Sequence, residues 1–254
     1  MNDVWRKLDI ELQKWEEASI SPIFWIRDDD ASKDGPKLAK LISISKKFSV
    51  PISIAVIPFL IEKSLIKTLN SNDLISVLQH GFKHKNYEPD GEKKSEFGKS
   101  REINHMIDDI IQGSKLVAES FEKSYEPIFV PPWNRMSHLL LPHIQSIGLA
   151  AVSSFSKNLS GYRNFYNHSK IINTHIDIID WKSNKIFLGE KRILNQLILE
   201  LVGRRNKKIK GNYPIGILTH HKVMEDNSFL FLETLINKTQ NSGATWKSIQ
   251  KIIQ

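Results

Sequence analysis

Hydrophobic positions recur along the chain with two periods, one typical of helices and one of buried strands. Helical spacing of apolar residues, with charged residues between them, predicts an amphipathic helix over residues 3–17. The apolar positions of this helix are Val4, Leu8, Leu12 and Trp15. Short apolar runs predict strands at residues 23–26, 52–57, 74–78, 128–130, 149–152, 171–179 and 215–218. Helical patterns lie between them, at residues 36–48, 61–69, 102–121, 138–147, 193–202 and 228–239.

The alternation of these elements indicates an α/β fold. Strands that are apolar on both faces and alternate with helices are typical of a parallel sheet, either open or closed into a barrel. The chain contains no internal repeat and no linker rich in Gly, Pro or Ser, so we expect one domain over residues 1–254. Residues 83–98 and 158–169 fit neither pattern, and loops of that length in a compact domain are often functional.

Composition removes several classes of protein. With 40% hydrophobic and 25% charged residues, the chain is neither disordered nor fibrous. The absence of cysteine excludes a disulfide framework, a thiolate nucleophile and a cysteine-ligated zinc site. No apolar run is long enough to span a membrane and no export signal is recognisable, so we expect a cytoplasmic protein without a membrane partner.

The net charge of +8 raises the question of a polyanionic partner. The most basic segment, residues 204–210, has no interleaved aromatic residues, and no helix-turn-helix or zinc-finger pattern is present. This segment is therefore interpreted as a solvated turn, and no nucleic-acid partner is expected. The oligomeric state is left open.

Three polar runs follow predicted strands. Arg27-Asp28-Asp29-Asp30 places three carboxylates side by side, which repel one another unless a cation or several donors compensate them. Gln79-His80-Gly81-Phe82-Lys83-His84 has two histidines four residues apart, and imidazole is a common zinc ligand. In Pro131-Pro132-Trp133 the two prolines fix the backbone, so the backbone amide of Trp133 can be directed at one point. Each run also has a purely structural interpretation: an acidic helix cap, a chance spacing, or a rigid helix entry.

Two further runs, Asp177-Ile178-Ile179-Asp180-Trp181 and Ile217-Leu218-Thr219-His220-His221, also coincide with strand ends. Either could be an ordinary strand terminus. In α/β barrels, however, the active site lies at the carboxyl ends of the strands, where the βα loops converge. Five polar runs at that edge favour one shared site.

The order and spacing of these motifs, over residues 27–221, resemble the polysaccharide deacetylase superfamily, also known as the NodB-homology domain or family 4 carbohydrate esterases. The resemblance implies a distorted (β/α) barrel of about seven parallel strands. It also implies a metal-dependent deacetylase with one divalent ion, for which zinc is favoured and cobalt or nickel are alternatives.

The first two motifs of the family imply the metal site. The acidic run resembles the first motif, which implies Asp29 as general base and Asp30 as a metal ligand. A one-residue shift, with Asp28 as base and Asp29 as ligand, is the alternative alignment. The two histidines resemble the His-x-x-x-His motif, which implies that His80 and His84 complete an Asp–His–His site.

The third motif implies the oxyanion site. Pro131-Pro132-Trp133 resembles this motif, so the Trp133 amide would stabilise the oxyanion and its ring would shape the groove. Val130 stands where the family has an arginine that orients the catalytic aspartate, so Arg27 or Arg135 is expected to replace it. Arg135 is also a predicted substrate-binding residue.

The last two motifs imply the general acid and the groove wall. The run that ends in Trp181 resembles the fourth motif, which implies that Trp181 lines the groove and that Asp180 or Asp177 orients the catalytic histidine. The following motif nominates His220 as general acid. His221 stands where the family often has aspartate and receives no predicted role.

These assignments predict hydrolysis of an N-acetyl group, or a closely related amide, by water activated at the metal. Asp29 would accept the proton of that water and His220 would protonate the leaving amine. The expected substrate is a carbohydrate or a small acetylated molecule. The alternative is a catalytically silent barrel that binds a glycan, an interpretation motivated by Val130 in place of the family arginine.

Overall fold

The computed structural model describes residues 3–156, 170–206 and 214–253. The helices are α1 (Asp3–Glu17), α2 (Pro36–Phe48), α3 (Lys63–Asn70), α4 (Ile103–Ser120), α5 (Glu190–Arg205), α6 (Asp226–Asn241) and α7 (Ile249–Ile253). The strands are β1 (Ile23–Ala31), β2 (Ile52–Val56), β3 (Ile75–His80), β4 (Tyr125–Val130), β5 (Ala151–Val152), β6 (Lys170–Ile171), β7 (Ile176–Asp177), β8 (Ile179–Asp180), β9 (Ile186–Phe187), β10 (Ile215–Thr219) and β11 (Thr245–Trp246). Three 3₁₀ segments are Pro58–Leu60, Pro132–Asn134 and His138–His143.

The main sheet is parallel, in the order β6-β5-β4-β3-β2-β1-β10-β7, and β11 adds to the start of β1. Its two edges are joined by residues 170–177, which pair with β5 at one end and with β10 at the other. Across this junction, Thr174 N donates to Ser154 O and His175 N donates to Gly216 O. The sheet therefore curls into the distorted barrel that the sequence predicted.

Alternation along β1 separates two apolar regions. Phe24 and Ile26 pack into the layer between the sheet and the helices, whereas Trp25 packs inside the curled sheet with residues such as Leu78 and Ile128. Successive strand side chains point to opposite faces, so each strand contributes to both regions. This explains why the strands are apolar throughout.

The predicted amphipathic helix is α1, with its apolar positions buried. It packs against α5, where Trp5 Nε1 donates to Glu190 and Arg205 forms an ion pair with Glu11. Part of the basic segment 204–210 is thus used in helix packing, and residues 207–210 lie outside the described residues.

Two predicted elements differ from the structure. The predicted helix over residues 138–147 is only a 3₁₀ segment with Pro142 inside it, because proline lacks an amide proton and its ring clashes with the preceding turn. The predicted strand over residues 171–179 is divided into β6, β7 and β8, and β8 pairs with β9 as an antiparallel hairpin outside the main sheet. The predicted loop 158–169 lies outside the described residues.

No helix in the described part of the chain is both long and apolar enough to cross a membrane. The prediction of a single domain stays a prediction.

Candidate metal centre and its surroundings

Asp30, His80 and His84 form the one group of potential metal ligands within the described ranges, with all ligand atoms within 4.8 Å of one another. Asp30 Oδ1 lies 3.0 Å from His80 Nε2 and 3.1 Å from His84 Nε2. Zinc binds such ligands at about 2.0–2.2 Å, so one ion fits between three atoms at these separations. The donor set also leaves further coordination positions open, as in catalytic rather than structural sites.

The backbone of β1 brings two neighbouring aspartates to the same side. The pairing of β1 with β2 shifts register between Asp28 and Ala31, and Asp30 has a φ of 75°. A bulge re-aims side chains that would otherwise alternate between the two faces of a sheet. Asp29 and Asp30 can therefore both face the site.

The histidine ligands are held for metal binding. His80 Nδ1 lies 3.0 Å from Val130 O, and a donated hydrogen bond there leaves Nε2 free as the ligand atom. Burial favours the neutral ring of His80, but the Asp29 and Asp30 carboxylates outweigh it and raise the pKa of His80. The pKa of Asp30 is lowered, since hydrogen bonds from the two histidines outweigh its burial.

Asp29 is held by a fully buried arginine. Arg27 Nε lies 2.8 Å from Asp29 Oδ1 and its second terminal nitrogen lies 2.9 Å from Asp29 Oδ2, which is a bidentate pair. Arg27 also donates to Ser153 Oγ at 2.7 Å and to Asn134 Oδ1 at 2.6 Å. Of the two arginines expected to replace the one missing at Val130, Arg27 is therefore the one that contacts Asp29. The guanidinium of Arg135 instead donates to Lys94 O.

Asp28 belongs to a different cluster. Its carboxylate accepts hydrogen bonds from Thr219 Oγ1 at 2.7 Å, from the His221 backbone amide at 2.8 Å and from His221 Nδ1. Burial alone would raise the pKa of Asp28, but His221 and Thr219 lower it. The three adjacent carboxylates thus have three different sets of partners. This arrangement groups Asp30, not Asp29, with the histidines, and it gives His221 a structural contact.

His220 stands beside Asp29, with its Nε2 4.0 Å from Asp29 Oδ2. Its Nδ1 is buried and has no hydrogen-bond partner among the described residues. Trp181 packs edge-on against the His220 ring at 4.6 Å between centroids. Trp181 is 44% exposed, so it borders the site and reaches solvent.

The structure does not bring Asp180 to His220. The Asp180 carboxylate accepts hydrogen bonds from Arg192 at 2.7 Å and from Lys182 N at 3.1 Å. Asp177 is close enough to His220 to interact electrostatically, and it accepts a hydrogen bond from Trp181 Nε1 at 2.8 Å. Burial raises the pKa of Asp177, and the nearby His220 partly opposes that shift.

The Pro131–Pro132 turn places Trp133 over the metal ligands. The Trp133 ring lies 4.3 Å from the His84 ring, centroid to centroid. Trp133 and Asn134 both have positive φ, 54° and 56°. Non-glycine residues held in this region cluster at functional sites, because the surrounding contacts must outweigh their strain.

Sequence reasoning missed four polar residues that support the site. Asn134 and Ser153 accept hydrogen bonds from Arg27, Ser154 Oγ donates to Asn134 O, and Glu96 accepts from the backbone of His84. Asn134 was visible as the residue after the Pro-Pro-Trp motif, and Ser153-Ser154 as the polar pair after an apolar strand. Glu96 lies in the polar loop 83–98 and had no distinguishing local signal. Together these residues show that the site depends on partners far away in sequence.

No family model matches the chain, and no curated protein matches its sequence. Solved structures do match its fold. The fold is that of the NodB-like deacetylase barrel, shared with the family 4 carbohydrate esterases.

Three of these structures show the extent of the match. A family 4 esterase from Streptomyces lividans, in complex with acetate, aligns with a TM-score of 0.57 and 12% identity over 90% of this chain and 93% of its own. The Bc1960 peptidoglycan N-acetylglucosamine deacetylase aligns with a TM-score of 0.57 and 13% identity over 91% of this chain and 87% of its own. A family 4 pseudoenzyme from Bacillus anthracis aligns with a TM-score of 0.57 and 16% identity over 92% of this chain and 66% of its own. At these identities the likeness concerns the fold.

Proposed function

We propose that this protein is a divalent-metal-dependent deacetylase that hydrolyses an N-acetyl or related amide group of a carbohydrate or small acetylated molecule. The observation that carries the proposal is the convergence of Asp30, His80 and His84 beside the Arg27–Asp29 pair and His220. The fold shared with deacetylases supports it.

The three clustered ligand residues would hold the ion, and zinc is the metal we favour, with cobalt or nickel as alternatives. Once bound, the ion would polarise the acyl carbonyl and make a water molecule more acidic. A pKa of Asp30 below its ordinary value keeps this ligand ionised at neutral pH.

Asp29 would accept the proton of the attacking water. Its two oxygens are fixed by the Arg27 fork, so the carboxylate has one orientation toward the site. The backbone amide of Trp133 is proposed to donate to the oxyanion that forms from the carbonyl, because the two prolines before it fix the turn.

His220 would donate a proton to the leaving nitrogen. Its Nε2 faces the space next to Asp29, so the proton acceptor and the proton donor flank the same position. Trp181, packed on the His220 ring and partly exposed, would line the substrate groove together with the Trp133 ring.

The alternative function is a silent barrel that binds a glycan. Pseudoenzymes exist among the similar structures, which makes the alternative concrete. The observation that first motivated it, Val130 in place of an arginine, loses weight because Arg27 makes the bidentate contact with Asp29. The cytoplasmic location remains a proposal, under which the substrate is a soluble acetylated sugar or precursor.

The test is metal content by elemental analysis and release of acetate from a panel of acetylated amino sugars. Wild type is compared with His80→Ala/His84→Ala, with Asp29→Asn, and with His105→Ala, an exposed histidine on α4, as the matched control. In wild type and in the control we expect about one ion per chain together with activity. The double variant should have neither the ion nor activity, and Asp29→Asn should bind the ion but be inactive. Metal without activity in wild type across the panel would favour the silent barrel. Wild type without metal after zinc, cobalt and nickel are supplied would overturn the proposal.

A further inference from the structure

The loop between β3 and α4 is folded around the buried carboxylate of Glu96. Glu96 is 0% exposed although it lies in a polar, lysine-rich segment. Its Oε2 accepts hydrogen bonds from Phe82 N at 3.2 Å and from His84 N at 3.1 Å, and its Oε1 accepts one from Lys83 N at 2.7 Å. Three consecutive amides therefore converge on one side chain.

These amides belong to the segment that carries the second histidine ligand. His84 has a φ of 55°, a left-handed conformation that non-glycine residues rarely adopt. In this conformation its Nε2 lies 3.1 Å from Asp30 Oδ1 and its ring contacts Trp133. A negatively charged acceptor stabilises a backbone whose N–H groups point to one place, because charge-assisted hydrogen bonds are the stronger ones.

The side chain of Glu96 is closely packed, so it has little room to adopt another conformation. Gly81, with a φ of 59°, places its α-carbon so close that an added Cβ would lie 2.2 Å from Glu96 Oε2 and 2.4 Å from Pro132 Cγ. Glu96 and Pro132 thus both pack closely against Gly81, at the start of the segment that carries His84. Arg101 donates to Glu96 O at 3.1 Å and fixes the backbone of Glu96 as well.

A second buried carboxylate in the same loop has a different task. Glu88 accepts hydrogen bonds from Ser100 N at 3.2 Å and from Ser100 Oγ at 2.8 Å. None of the hydrogen bonds in the described part of the chain joins the Glu88 carboxylate to the amides of residues 82–84. Glu88 stabilises the far end of the loop and therefore serves as a matched control.

We propose that Glu96 is a positioning residue for the metal centre: it holds the backbone of residues 82–84 so that His84 Nε2 is aimed at the ion. This inference rests on the proposed function, since it assigns a role toward the metal that Asp30, His80 and His84 would hold. Glu96 itself touches neither metal nor substrate. Removing a residue that contacts a metal ligand, but not the metal itself, typically lowers metal affinity by about 10- to 100-fold.

The experiment measures Zn²⁺ affinity by chelator competition, and Co²⁺ absorption spectra as a report on ligand geometry. Wild type, Glu96→Gln and Glu88→Gln are compared, because glutamine keeps the shape of glutamate and removes its charge. Circular dichroism and the melting temperature of the metal-free proteins monitor folding. We expect a loss of about 10- to 100-fold in Zn²⁺ affinity and a changed Co²⁺ spectrum for Glu96→Gln, with Glu88→Gln close to wild type.

A double-mutant cycle with His84→Ala tests the route of the effect. If Glu96 acts through His84, Glu96→Gln should cause no further loss of affinity in the His84→Ala background. An equal loss in that background, an equal loss in Glu88→Gln, or unchanged affinity in Glu96→Gln would each overturn the inference while leaving the proposed function intact. Wild type that binds no metal would instead overturn the proposed function, and the role of Glu96 with it. Should Glu96→Gln not fold, Glu96→Asp takes its place with the same expectations, because its shorter side chain no longer reaches the three amides of residues 82–84.

Discussion

At the scale of single residues, the site depends on how the three adjacent carboxylates of β1 are paired with different partners. Asp28, Asp29 and Asp30 would repel one another, but each has its own partners: His221 and Thr219, Arg27, and the two histidine ligands. A buried carboxylate is stable only when it is paired or hydrogen-bonded. The family resemblance implied the two histidines for Asp30 and either Arg27 or Arg135 for Asp29. It did not give the partners of Asp28, because His221 and Thr219 come from a part of the chain distant in sequence.

Arg27 provides the first test at this scale. Lysine at position 27 would keep the positive charge but lose the fork that contacts both oxygens of Asp29, along with the bonds to Ser153 and Asn134. We expect Arg27→Lys to retain metal and to lose about 10²-fold in kcat/KM, since a misplaced catalytic group costs about that much. Steady-state kinetics with metal analysis measures this. The control is Arg205→Lys, which loses a similar two-point contact with Glu11 between α1 and α5, and an equal loss there would contradict the assignment.

His175 gives a pH-dependent prediction at the same scale. Burial, together with the charge of Arg204, lowers the pKa of His175 to about 3, and its Nδ1 accepts a hydrogen bond from Gly216 N. The folded chain therefore holds the neutral ring, whereas the unfolded chain binds a proton below its ordinary pKa of about 6.5. Stability must fall as the pH drops from about 6.5 toward 3, by up to about 1.4 kcal/mol per pH unit from this residue.

The matched variant is His175→Asn, which keeps an acceptor and cannot titrate. We expect its stability relative to wild type to improve by about 2 kcal/mol between pH 8 and pH 5. Urea unfolding at the two pH values measures the difference. A stability difference that does not change with pH would show that the pKa of His175 is the same in the folded and the unfolded chain.

At the scale of elements, the strands that were predicted well are those whose burial is uniform. β2, β3 and β10 are buried at every position and therefore form unbroken apolar runs. β11 and α7 are too short to produce a pattern. The helix predicted over residues 138–147 was wrong because the prediction followed the apolar periodicity and gave too little weight to Pro142. The single strand predicted over residues 171–179 was wrong because these residues form separate short strands, of which β6 and β7 pair with the two opposite edges of the sheet.

The loop after β3 can be tested through its glycine. Gly81→Ala introduces a Cβ into contact with Glu96 and Pro132 at a φ of 59°. We expect it to destabilise the fold by more than about 2 kcal/mol, through strain and overpacking, and to weaken metal binding. Gly148→Ala is the control, because its φ is 87° but nothing lies within 4 Å of the added Cβ.

Thermal unfolding of the metal-free forms and Zn²⁺ titration separate the two effects of Gly81→Ala. We expect Gly148→Ala to show only the modest cost of its backbone conformation and an unchanged Zn²⁺ affinity. Equal behaviour of the two variants would mean that the contact between the β3 loop and Glu96 does not constrain the site.

At the scale of the whole molecule, the fold brings distant segments to one edge. The carboxyl ends of β1, β3, β4 and β10 supply the aspartates, histidines and the Trp133 turn, which is why polar runs at strand ends predicted the site. The family resemblance implied Asp180 or Asp177 as the partner of His220. In the structure Asp180 pairs with Arg192, because β8 leaves the main sheet, and Asp177 is the carboxylate that interacts with His220. The ends of strands can be located from the pattern of apolar and polar residues. Whether a short strand such as β8 joins the main sheet depends on tertiary contacts, which that pattern does not contain.

Because one ion would join β1 to the β3 loop, metal binding should stabilise the entire fold. Zinc at 100 times its Kd contributes about 2.7 kcal/mol, which raises the melting temperature of a chain of this size by about 5–10 °C. The pKa of His80 is raised, and metal binding requires its neutral ring, so at one fixed zinc concentration the increase should be larger at pH 8 than at pH 6. Calorimetric melting with and without zinc at both pH values measures this. Asp29→Asn should keep the zinc-dependent increase in melting temperature, and His80→Ala/His84→Ala should lose it. An equal increase in the double variant would mean that zinc binds at another site.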